Sequence, residues 1–99
     1  MKNDVVRTLV ALNRSIKKRD ATGVSGFSRS VCLVCHEAAL QQNGQWNAKS
    51  ARWAKSIFEG ALDVLSEMER ELSAARAKVL DRYYRLLPYI EDAIEGTRV

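Results

Sequence analysis

From Ala54 to Val79 the apolar positions Ala54, Phe58, Ala61, Leu65, Met68, Leu72, Ala75 and Val79 follow one another at alternating steps of four and three residues. Such steps keep side chains on one face of an α-helix and, sustained over several turns, form the heptad seam of a coiled coil. Ile57, Leu62 and Val64 broaden the stripe in its first half, which therefore needs a wide apolar surface to bury against. Neither Gly nor Pro occurs between Ala61 and Leu87 to break the pattern. The spacing thus predicts one long helix over 48–87, ~60 Å from end to end at 1.5 Å per residue.

Two shorter helices precede it. Val5, Leu9, Leu12 and Ile16 make one stripe behind the good N-caps Asn3 and Asp4, and Arg14, Lys17, Lys18 and Arg19 sit in the last turns of a helix predicted over about 4–20. Ala21 to Gly26 holds two glycines and two small hydroxyl residues and reads as a break. Phe27, Val31, Val34 and Ala38, with Cys35 and Leu40 beside them, predict a second helix over about 27–42, closed by Gln42-Asn43-Gly44. Pro88 has no N–H to donate and restricts Leu87, so the long helix is expected to kink or end there, with a short helix over 89–95 capped by Gly96. The expected fold class is all-α, one domain of 99 residues in which two shorter N-terminal helices pack on a long third helix.

Helices of ~25 Å cannot cover a rod of ~60 Å. The overhang is expected to pair with a second copy through Leu65, Met68, Leu72, Ala75 and Val79, giving a helical homodimer. Glu59 to Glu71 is acidic and Arg76 to Arg85 mostly basic, an order that favours antiparallel pairing.

Charge is divided along the chain. Through Phe58 ten bases stand against three acids, net +7; from Glu59 onward six bases stand against nine acids, net −3. Opposite halves attract within one molecule or between two, or leave a basic face for an acidic partner. No apolar run approaches the ~20 residues that cross a bilayer. Val5 to Leu12 is interrupted by Arg7 and Thr8 and followed by bases, unlike a secretory signal, so a cytoplasmic location away from membranes is expected.

Three patterns bear on chemistry. Cys32-Leu33-Val34-Cys35-His36 has the spacing of a c-type haem attachment sequence. It lies in an apolar helical stripe without a further His or Cys to complete a zinc site, so the cysteines read as packing residues, and neither metal nor cofactor is expected. Gly23 to Ser30 resembles the turn and recognition helix of helix-turn-helix repressors, which implies DNA contact through Arg29 and the basic first helix. It departs from that pattern at Arg29, where an apolar residue is required, and at Lys18 and Arg19. Arg14, Lys17, Lys18 and Arg19 form a basic helix end suited to phosphates or to an acidic protein surface.

Trp46, Trp53, Tyr83, Tyr84, Arg85 and Tyr89 are of the types that anchor protein interfaces. No phosphate loop, nucleophile elbow or convergent carboxylate pair is visible. The expected function is a small non-enzymatic interaction module, an adaptor, chaperone-like protein or inhibitor of another protein. The alternative is a dimeric DNA-binding regulator using the basic N-terminal helices.

Overall fold

The computed structural model describes residues 4–67 and 73–96, which form α1 (Asp4–Lys17), α2 (Ala21–Leu40), α3 (Ala48–Glu67) and α4 (Ser73–Glu95). All the secondary structure among the described residues is helical. No helix there is long and apolar enough to cross a membrane.

The expected loop at Ala21 to Gly26 is helix. Arg19 takes the left-handed conformation at φ 54°. Its N–H donates to Ile16 O and that of Asp20 to Ser15 O, each at 3.0 Å. These two bonds satisfy the last carbonyls of α1 and turn the chain. Asp20 then caps α2, its carboxylate accepting from Gly23 N at 3.1 Å. One residue therefore closes α1 and opens α2, and α2 begins at Ala21 rather than near Phe27. Its buried face moves accordingly to Val24, Ser28, Val31, Cys35 and Ala38, while Phe27 is left 42% exposed.

α2 ends through the same device. Gln42 adopts φ 52°, and Asn43 N donates to Ala38 O at 2.9 Å. α3 opens on a reciprocal cap between Asn47 and Ser50: Ser50 N donates to Asn47 Oδ1 at 3.0 Å and Asn47 N to Ser50 Oγ at 2.9 Å.

The long rod over 48–87 does not form. Phe58 and Tyr83 stack with ring centroids 5.4 Å apart, whereas an unbroken helix would hold two positions twenty-five residues apart ~37 Å from each other. Arg76 Nε on α4 also donates to Ser66 Oγ on α3 at 2.6 Å. α3 and α4 thus pack antiparallel along their length. The physical cause is burial: Ala54, Phe58, Ala61 and Leu65 on α3 and Val79, Tyr83, Leu86 and Ile90 on α4 face a common core, which pairing within the chain removes from water without a second copy. The expected break at Pro88 is absent too, since α4 runs through it to Glu95. Pro88 is exposed, so the missing bond falls where water can serve the freed carbonyl.

α1 packs on α2, α2 on α4, α4 on α3, and α3 more lightly on α1, whereas α2 and α3 barely touch. The segment from Gln41 to Asn47 therefore crosses the end of the bundle diagonally. It is tied on both sides: Gln45 Oε1 accepts from Val5 N at 3.2 Å, and Trp46 Nε1 donates to Tyr89 O at 3.2 Å. The core is shared by all four helices, and the chain has a radius of gyration of 13.1 Å.

Candidate functional site

The aromatic set divides between core and surface. Tyr83 is 9% exposed and lies on Phe58. Trp46 and Trp53 are half-buried against the core, Trp46 spending its N–H on Tyr89 O. Tyr89 is half-buried, its hydroxyl 3.0 Å from His36 Nε2 and its ring edge-on to the imidazole at 4.6 Å. Tyr84 and Arg85 remain at the surface, Arg85 pairing with Asp81 at 3.0 Å. Four of the six expected anchor residues are thus turned wholly or partly into the bundle.

The described part of the expected dimer seam is likewise internal. Leu65 and Val79 are buried in this chain's own core and Ala75 is half-buried; Met68 and Leu72 lie outside the described residues. At Ala54, Phe58, Ala61, Leu65 and Val79 the alternation of four and three marks positions that face the core.

Cys32, Cys35 and His36 do not converge. Cys35 is fully buried; burial, and then the neighbouring Cys32, pushes its thiol up to about 12. Cys32 is half-buried and donates to Arg82 O at 3.7 Å. Its thiol is also raised, chiefly by burial and against the pull of Arg85 and Arg82. His36 turns toward Tyr89. Among the described residues no three His, Cys, Asp or Glu side chains are placed to hold a metal ion.

Arg14, Lys17, Lys18, Arg19 and Arg29 are all exposed, and Arg19 pairs with Glu67 at 2.9 Å, joining the basic half of the chain to the acidic half. Gly23 to Ser30 lies within α2, so the turn implied by the repressor resemblance does not occur there.

Two features escaped the sequence. Arg82 reaches from α4 to α2, where Nη1 donates to Ser28 Oγ at 2.9 Å and to Ser25 O. Ser28, fully buried, donates in turn to Ser25 O at 2.8 Å. This pairing makes a buried Ser possible where the apolar stripe suggested none. The second feature is the outer face of α2, where Leu33 is 58% and Leu40 62% exposed, one heptad apart. The spacing of those leucines on a helix with only two charged residues, Arg29 and Glu37, was the available signal.

At the bundle end a cleft of about 740 Å³ opens between the crossing segment and the last turns of α4, lined by Asn43, Trp46, Asn47, Tyr89 and Asp92 among others. It presents amide, indole and phenol groups beside one carboxylate. No family model, curated protein or solved structure matches the chain.

Proposed function

We propose that this chain is a small non-enzymatic protein–protein interaction module, an adaptor, chaperone-like protein or inhibitor, that works through the outer face of α2. The observation that supports this is the paired exposure of Leu33 and Leu40 on one side of a helix whose other side is already in the core. Scattered surface leucines are ordinary. Two aligned on one face, with few charges to solvate the helix, mark a surface built to be covered. The face also carries Gly26, where an added Cβ would meet nothing within 4 Å, so nothing among the described residues accounts for the helix stability that glycine forfeits there.

The test is affinity capture with the full chain and with a Leu33→Asp/Leu40→Asp variant whose folding is checked by circular dichroism. Proteins held by the native chain and released by the variant support the reading. Identical profiles overturn it.

A second reading rests on the exposed Arg14, Lys17, Lys18 and Arg29, which carry no ion pair among the described residues and suit a nucleic-acid backbone. Gel-shift binding that weakens steeply as salt rises would support it. No shift at ~50 mM salt would remove it, because phosphate contacts are strongest at low ionic strength.

A further inference from the structure

Resting on the interaction reading above, we propose that the partner of the α2 outer face is a second copy of this chain, docked antiparallel about a two-fold axis at Leu33. The positions that carry this are Gly26, Arg29, Ser30, Leu33, Glu37 and Leu40, which fall within ~100° of arc at 3.6 residues per turn. All are exposed except the half-buried Ser30.

Leu33 stands midway in sequence between Arg29 and Glu37, and again midway between Gly26 and Leu40. An antiparallel two-fold contact centred on Leu33 therefore brings unlike positions to the same level along the helices. Leu33 meets its own counterpart, 58% exposed in the single chain. Arg29 of one copy lies level with Glu37 of the other, so the two charged residues of α2 become two symmetric ion pairs. Leu40 of one copy lies level with Gly26 of the other, where the open space beside the glycine accepts the branched side chain.

A parallel arrangement would set like charges against each other at both positions, which is destabilising. Arg29 makes no ion pair among the described residues. Glu37 accepts one bond from Gln41 Nε2 at 3.1 Å and has capacity for a guanidinium as well. One apolar face, one charge pair repeated by symmetry and one gap filled by the opposite leucine make a self-complementary surface. A single helix face is small for a stable interface, so dissociation in the micromolar range is expected.

The experiment is sedimentation equilibrium of the full chain over about 5 to 500 µM, a range that brackets weak, small interfaces. The native chain should show a monomer–dimer equilibrium. Arg29→Glu and Glu37→Arg should each raise the dissociation constant ~10-fold or more by setting like charges together at two symmetric sites. The double variant should recover dimerisation. Gly26→Leu should weaken the dimer while circular dichroism reports a folded monomer. A native chain that stays monomeric throughout, or a charge swap that recovers nothing, overturns the assignment. In that event α2-dependent capture of a different protein would still uphold the interaction reading, and its absence would end both.

Discussion

Phe58 of α3 and Tyr83 of α4 stack with ring centroids 5.4 Å apart and planes 12° from parallel. Tyr83 in turn stacks on Tyr84 at 6.3 Å, so a row of three rings runs from Phe58, wholly buried, to Tyr84, 61% exposed. The Tyr83 phenol is raised, first by burial and then by Glu59 and Glu91. This contact between the two halves of the apparent rod is the plainest sign that they fold against one another.

A double-mutant cycle on Phe58→Leu and Tyr83→Leu should return a coupling of ~0.5–1.5 kcal/mol beyond the burial terms. Phe58→Ala alone should cost ~3–5 kcal/mol, the usual toll of emptying a buried ring site. Urea denaturation measures both. Additive single substitutions would show that the stack contributes only area.

The corner between α1 and α2 makes a second test. Asp20→Ala should cost ~1 kcal/mol through loss of the cap. Gly23→Ala should also destabilise, despite alanine's better helix propensity, because a Cβ there would lie 2.6 Å from both Asp20 Oδ2 and Ser15 Oγ. With Asp20→Ala already in place, half of that crowding is gone. The two costs should then sum to less than their separate values in chemical denaturation; strict additivity would rule out the shared contact.

Two positions in helix interiors carry residues that weaken helices without a packing reason. Gly60→Ala adds a Cβ with nothing within 4 Å and should stabilise by ~0.5–1 kcal/mol. Pro88→Ala restores a donor for the Tyr84 carbonyl in exposed helix and should stabilise by up to ~3 kcal/mol. Thermal unfolding reads both. A lower midpoint for Pro88→Ala would mean that the proline bends α4 into its packed position.

Cys35 links stability to alkaline pH. Its ordinary value is 9.0, and folding pushes it up to about 12. Below the unfolded value neither state ionises, and the contribution of the neutral buried thiol is whole. As pH rises from 9.0 toward about 12, the unfolded chain gives up the proton while the folded chain keeps it, so stability falls. The native chain should therefore lose more stability across that window than Cys35→Ala does, by urea denaturation at stepped pH. At pH 8 a thiol-specific disulfide reagent should modify half-buried Cys32 first and Cys35 only on unfolding, since the thiolate is the nucleophile. Equal rates in the folded state would contradict the burial of Cys35.

Local physics legible in the residues accounts for much of this molecule. The stripe Val5, Leu9, Leu12 is the buried face of α1. The periodic positions from Ala54 to Leu65, and Val79 beyond them, are core positions. These follow from side-chain spacing within each helix. Which surface each stripe meets is not a local property. The same alternation suits a coiled coil between chains or a hairpin within one, and only the joint burial of Phe58 with Tyr83 chose the hairpin. Likewise Arg19 at φ 54° and Asp20 between two helices turned an apparent glycine loop into the first turns of α2. That choice rotated the face of α2 and left Leu33 and Leu40 in water. The chain's own pattern dictated helices and their apolar sides; the packing of four of them, with Arg82 holding Ser28 beneath it, decided which apolar side stayed uncovered, because burial free energy is summed over the whole core and not over any one segment.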